Sequence, residues 1–299
     1  MKTIEAGLKG KAYKLVSKPK TPMTSNYHPE MDGTPELDAE DRRYYQELIG
    51  ILRWSTEIGR VDILHEVSIM SQYQALPREG HLQEVLRIIA YLKSRPKLTI
   101  FMDPRIPPLD LGMFPDRTEE FKEYYRDAEE LMPYDAPVPR GRPVMITAYV
   151  DASHASNRIT RRSHSGFIVF VNRAPILWYS KRQQTVETSA FSAEMIALKV
   201  CIEAIQGLRY KLRMFGVPLP KGEPSYVLCD NSGCVNNASK VESVLNKKHS
   251  SVAYNYCRWA TAAGVIRVAW VPTDYNLADA LTKRLPEVKR DTLFGDWTY

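Results

Sequence analysis

The chain has 299 residues, of which 44% are hydrophobic and 25% charged, with 20 Pro, 15 Gly and 4 Cys. That composition excludes a disordered, collagen-like or disulfide-stapled protein, and the chain holds no apolar run of the roughly eighteen residues that a membrane span needs. The start, MKTIEAGLKGKAYKL, has no apolar core of the signal-peptide kind, so the expectation is an intracellular protein with no membrane attachment.

The net charge of +6 is unevenly placed: residues 1–143 carry 21 Lys+Arg against 23 Asp+Glu, whereas residues 144–299 carry 20 against 12. A basic half beside a near-neutral half points to a polyanionic partner, with a merely solvated basic surface as the alternative. The cysteines Cys201, Cys229, Cys234 and Cys257 form no C-x-x-C pair and read as small core residues.

In chain order, residues 1–40 are rich in Pro, Thr and acids without a sustained period, and read as an extended lead-in that carries no core. Residues 41–102 form a helical domain: apolar residues recur at helical spacing and predict helices near 40–56, 61–76 and 79–94, followed by a short strand at 98–101. Pro77 and Pro96 stop the second and third helices. Residues 103–143 are a Pro-rich acidic linker around RTEEFKEYYRDAEEL, which reads as one helix.

Residues 144–299 change character. Strands are expected over 144–153, 165–172 and 175–181, a helix over 187–215, a strand over 226–230, and helices over 231–239 and 248–263. A strand over 265–272 and a short helix over 276–285 complete the pattern. The order implies an α/β fold with a mixed five-stranded sheet flanked by helices, after a small mainly helical domain.

Four acids stand out in this order. Asp151 and Asp230 end strands, Glu194 opens the long helix, and Asp279 lies in the terminal helix, all within mainly apolar contexts such as AYVDAS and LADALT. A lone carboxylate there carries a large desolvation cost. No Lys or Arg lies within two residues of any of them, which favours a hard divalent cation over a local salt bridge. Taken singly, each acid also fits an ordinary loop or cap, Asp230 especially, because an acid before a short helix is a good N-cap.

The segments AYVDASHA, RRSHSGFIVFVNRAPILWYSKRQ, VETSAFSAEMIAL, LCDNSGCV, KKHSSVAYNYCRWATAAGVIRVAWVP and NLADALTKRLP resemble, in order and spacing, the ribonuclease H domain of copia-type LTR retrotransposon polyproteins. Upstream, YYQELIGILRWSTEIGRVDILHEVSIMSQYQALPREGHLQEVLRIIAYLKSRP is similar to the thumb and connection that follow the polymerase palm in those polyproteins.

The resemblance implies a ribonuclease H-like fold and hydrolysis of the RNA strand of RNA–DNA hybrids. Two Mg²⁺ ions, replaceable by Mn²⁺, would be held by Asp151, Glu194, Asp230 and Asp279 as both metal and catalytic residues. It further implies that Asp151 bridges both ions and that Asp279 serves the ion that activates water. The histidine that many ribonucleases H carry before the last acid is missing from VPTDYN, which puts product release rather than cleavage in question.

For the hybrid, Arg161, Arg162, Ser163, Lys181, Asn231 and His249 are the substrate-binding candidates, with Arg158, Arg182, Lys247 and Lys248 as further basic residues. A solvated turn at 161–163, helix capping by Asn231 and a helix start at His249 are the alternatives. His154 reads as a loop residue, and Arg78, Arg87 and Lys93 as a solvated helix face or a wall of the hybrid path.

The paired aspartates of a polymerase hairpin occur nowhere, so no polymerase site is expected in this chain, which reads as the C-terminal piece of a reverse transcriptase. Its expected partners are the polymerase and integrase of the same polyprotein, in a cytoplasmic particle or the nucleus. The alternative is a catalytically silent nucleic-acid-binding relic of a retroelement.

Overall fold

The computed structural model describes Tyr13 and residues 15–245, 248–295 and 297–298. Its centre is a mixed five-stranded sheet in the order β3-β2-β1-β4-β5, formed by β1 (Ile146–Ser153), β2 (His164–Val171), β3 (Ala174–Arg182), β4 (Ser225–Cys229) and β5 (Ile266–Trp270). The first three strands are an antiparallel meander, and β4 and β5 run parallel to β1. Every strand falls within two residues of its expected position, because alternating β-branched and aromatic residues fit a pleated, half-buried surface.

Before the sheet come α1 (Ala39–Glu57), α2 (Leu64–Met70), α3 (Glu79–Ser94) and α4 (Thr118–Lys122). Within and after it come α5 (Ala190–Met214), α6 (Ser232–Ser239), α7 (Ser251–Ala262) and α8 (Glu287–Gly295). Asp38 caps α1 by accepting the Asp41 N–H at 2.8 Å, and the Ser189 hydroxyl caps α5 from Ser192. Gly216, at a φ of +71°, ends α5 in the left-handed conformation that favours glycine.

α5 lays Met195, Leu198, Ile202 and Ile205 on one face of the sheet, against Ala148, Val150 and Val227. The other face receives the 3₁₀ turn Leu277–Leu281, α8 and the helical region. There Val61 joins Ile168, Phe170, Leu281 and Trp297 in one buried cluster, and the Trp178 indole N–H donates to the Thr56 carbonyl at 2.9 Å. Arg290 and Glu66 form a buried ion pair at 2.9 Å across the same seam.

Several expectations need correction. The lead-in contributes to the helical core after all: Met23 and Leu37 are buried with Tyr45, Leu48 and Leu82. Arg78 and Arg87 secure it through the carbonyls of Thr34 and Thr21, so neither presents a solvated face to a nucleic acid. The second helix breaks into Val61–Ile63, Leu64–Met70 and Ser71–Tyr73, with 3₁₀ geometry on either side of α2. The strand at 98–101 shrinks to one bridge, Ile100 to Thr298.

The stretch 103–143 is a strap and not a free tether. Phe114 packs on Tyr226 and Leu228, Phe121 packs against α7, and Glu130 is buried between Arg209 at 2.5 Å and Arg213 at 2.6 Å. The helix expected over 117–131 stops at Lys122 because the chain must then extend to bring Ala128 and Glu130 onto the body. All four cysteines are buried and free, as expected.

Candidate metal centre

Strand register brings the first two acids together. Val150 pairs with Cys229 across the parallel β1–β4 ladder, so Asp151 and Asp230 lie side by side at the C-terminal ends of adjacent strands. Glu194, in the first turns of α5, approaches Asp230 and the Cys229 thiol, and the ligand atoms of these three lie within 4.8 Å of one another. Asp151, Asp230 and Asp279 form a second group within the same limit. All four acids named from the sequence therefore converge, with Asp230 common to both groups.

Asp279 reaches the site because its turn sits directly on the sheet. Asn276, wholly buried, donates from Nδ2 to the Val150 carbonyl at 3.0 Å and accepts the Ala278 N–H at 3.1 Å, fastening the turn to the end of β1. Gly166, paired with Asp151, makes room: a Cβ there would lie 2.7 Å from Thr282 Cγ2 and 2.8 Å from Leu281 Cβ. Thr282 then donates its hydroxyl to Asp151.

The carboxylates are nearly closed to solvent, with Asp151 and Asp279 1% exposed and Glu194 5%. Burial pushes the Asp151 carboxyl up, against the opposing pull of Lys283. Burial, with the neighbouring Asp151 charge, pushes Glu194 well above its ordinary range. One Glu194 oxygen, Oε2, is buried with no hydrogen-bond partner.

The expectation that no local cation serves these acids is corrected. Lys283 lies 3.3 Å from Asp151 Oδ1 and 2.5 Å from Asp279 Oδ1, and Lys289 lies 2.7 Å from Asp279 Oδ2. Burial opposes the Lys283 charge, yet Asp151 and Asp279 outweigh it and hold its ammonium above the ordinary lysine range. Lys283 follows Asp279 by four residues, a helical spacing visible in LADALTK. Lys289 arrives from α8, which no feature of the sequence near the acids announces.

The substrate-binding candidates divide. Arg161 and Lys181 are exposed, and Arg161 has a left-handed φ of +56°. Arg162 is half-buried at a cavity wall. Ser163 is withdrawn from any ligand: it is fully buried, and its Oγ accepts the Ala155 N–H at 3.0 Å. Asn231 caps α6, accepting the Cys234 N–H at 3.0 Å.

His249 projects from the start of α7 toward the end of α5 that carries Glu194, with Nε2 3.2 Å from Ser192 Oγ and 3.7 Å from Glu187 Oε2. His154 donates to the Glu187 carbonyl at 2.9 Å, in keeping with a loop role. Lys247 lies outside the described residues. The sequence reading missed Thr282, Lys283, Lys289, Asn276 and the Cys229 thiol at this site.

Fold and acid cluster together define an α/β protein, a mixed five-stranded sheet flanked by helices, with four acids gathered about its central strands. Over most of its length the chain is similar to retrovirus-related Pol polyproteins from transposons. The polyprotein from transposon RE1 of Arabidopsis thaliana is 27% identical over 245 residues, 82% of this chain and 14% of its own length. That from RE2 of the same plant is 26% identical over 275 residues, 92% of this chain and 16% of its own.

The chain thus spans about one-sixth or less of these relatives. Among solved structures, an RNase H1 from a compost metagenome in complex with an RNA/DNA hybrid is 19% identical, covering 46% of this chain and 93% of its own, at a TM-score of 0.36. No protein-family model matches the chain. Among the described residues, no helix is long and apolar enough to cross a membrane.

Proposed function

We propose that this chain hydrolyses the RNA strand of RNA–DNA hybrids with divalent metal ions, as the ribonuclease H part of a retroelement polyprotein. The observation that carries the reading is the convergence of Asp151, Glu194, Asp230 and Asp279 into two overlapping groups that share Asp230. The four carboxylates fit hard cations, though the Cys229 thiol in the first group is a soft donor, and Glu194 Oε2 is buried with no hydrogen-bond partner. These four residues would hold two Mg²⁺, or Mn²⁺ in their place. When bound, such ions lower the pKa of the attacking water and stabilise the leaving oxygen of the phosphodiester.

The protein's own groups do the rest. Thr282 and Asn276 hold Asp151 and the terminal turn in register, so the carboxylates are oriented before any ligand arrives. Arg161 and Lys181 offer exposed charge to backbone phosphates, and a contact to a 2′-hydroxyl would select RNA. The polymerase and integrase of a retroelement polyprotein are the natural partners, in a cytoplasmic particle or the nucleus.

One observation favours a second reading, a silent nucleic-acid-binding relic: Lys283 and Lys289 neutralise Asp151 and Asp279 without a metal. A labelled RNA–DNA hybrid incubated with Mg²⁺ or Mn²⁺ separates the two. Cleavage is expected, falling by more than the roughly 10- to 100-fold typical of a residue that only supports a metal ligand in both Asp151→Asn and Glu194→Gln. Cleavage that survives either substitution would sink the assignment, and binding without cleavage would establish the relic.

A further inference from the structure

Next to the carboxylates, a cavity of about 320 Å³ opens between the lead-in, α2 and the β2–β3 edge of the sheet. Thr282 and Lys283, which contact Asp151, also form part of its wall, so cavity and acid cluster adjoin. Arg162 and Arg182 line it, and among the described residues no side-chain hydrogen bond or ion pair engages either guanidinium. By contrast, the buried Arg209 and Arg213 pair with Glu130, Arg290 pairs with Glu66, and Arg258 donates to the Lys240 and Val241 carbonyls.

A further lining group lacks a partner: the Ser153 Oγ is buried and unpaired, whereas His65, 4% exposed, hydrogen-bonds the Leu281 backbone and leaves only Nδ1 unpaired. Glu30 is the single acid on the wall, and it already accepts the Arg158 N–H at 2.9 Å and lies 3.5 Å from His28 Nδ1. Two unpaired guanidiniums and an unused hydroxyl converge on one space, beside Arg284, which donates to the Tyr27 carbonyl, and the Lys283 ammonium shared with Asp151 and Asp279. That set is complementary to a phosphate, whose several oxygens accept many hydrogen bonds and whose charge suits bidentate arginine.

We infer that this cavity binds a backbone phosphate of the nucleic acid whose neighbouring phosphodiester lies at the acid cluster. The inference rests on the hybrid-cleaving reading and adds a subsite built jointly by the helical region and the sheet. It gives the first half a direct role in substrate binding: residues 25–30 and α2 supply one wall.

The test uses the full chain in EDTA, where binding of labelled hybrid is read without turnover across a salt series. The double variant Arg162→Met/Arg182→Met should bind roughly 10-fold more weakly at low salt, with the salt slope smaller by about 1. Glu30→Gln should bind more tightly, a direction that a damaged fold cannot produce. Inorganic phosphate at constant ionic strength should raise the melting temperature of the wild type and not of the double variant.

Unchanged affinity and salt slope in the double variant, or weaker binding by Glu30→Gln, would overturn the subsite while leaving the cleavage assay to judge the function. Phosphate stabilisation lost in the double variant of a chain that binds no hybrid would overturn the nucleic-acid assignment and leave a site for free phosphate.

Discussion

The two sides of the acid cluster are built on opposite principles. On the Asp151–Asp279 side, two lysines and a threonine hydroxyl satisfy the carboxylates, and the protein supplies its own counter-charge. On the Glu194–Asp230 side no ion pair forms among the described residues: a thiol lies near, and Glu194 Oε2 has no partner. One side is stable as it stands, whereas the other bears an uncompensated desolvation cost that a bound cation would remove. On the metal-binding reading proposed above, the borrowed ammonium groups make half of the centre foldable before a metal arrives.

The largest expected effect comes from breaking the satisfied side. Lys283→Met leaves Asp151, and in part Asp279, buried without a counter-charge, and should cost about 3 kcal/mol of stability in EDTA. Urea unfolding measures it, and Mn²⁺ should restore much of the loss. An EDTA stability equal to that of the wild type would show that the lysine pairs contribute nothing.

Glu194→Gln tests the other side and should have the opposite sign. Because burial holds the Glu194 carboxyl well above its ordinary range, replacing it should stabilise the metal-free protein at neutral pH, while the stabilisation of the wild type by divalent ions is lost. A destabilised variant in EDTA would mean that the two sides are alike.

Gly166→Ala probes how the sides are held in register. The added methyl would meet Thr282 and Leu281, pushing the terminal turn off the sheet at a cost of about 1 to 2 kcal/mol, with Asp279 moving relative to Asp151. A crystal structure of the variant, or its Mn²⁺ affinity, would reveal the displacement.

The histidines beneath the cluster limit the pH at which these comparisons hold. Burial depresses His164 to about 3, with Arg182 adding to the effect, and burial also lowers its neighbour His65. The unfolded chain therefore takes up these protons first, below about 6.5. Stability should fall as pH drops from 6.5 toward 3, by at most about 1.4 kcal/mol per pH unit for each histidine. A urea series over that range should show His164→Gln with a shallower decline than the wild type.

Much of this was legible in the sequence. The strands were placed by alternation, and α1, α3 and α5 by apolar residues at helical spacing, since those patterns report which side of an element faces the core. The irregular parts were not. The lead-in and the strap carry Met23, Phe114 and Phe121 singly, and one apolar residue has no period to reveal its burial. Ser163 looked like part of a basic turn, but a tight loop needed its hydroxyl for the Ala155 N–H.

By itself, the sequence determined the class of fold, the four acids and the excess of basic charge in the second half, because each is written in local pattern, residue type or resemblance. Only the tertiary structure decided that Lys283 and Lys289 occupy one side of the cluster and leave the other bare. It alone closed a cavity around the unpaired Arg162 and Arg182. The physical reason is range: periodicity and propensity act over a few residues. Whether a buried charge is paired depends on groups that the sheet order and the docking of the helical region bring together from across the chain.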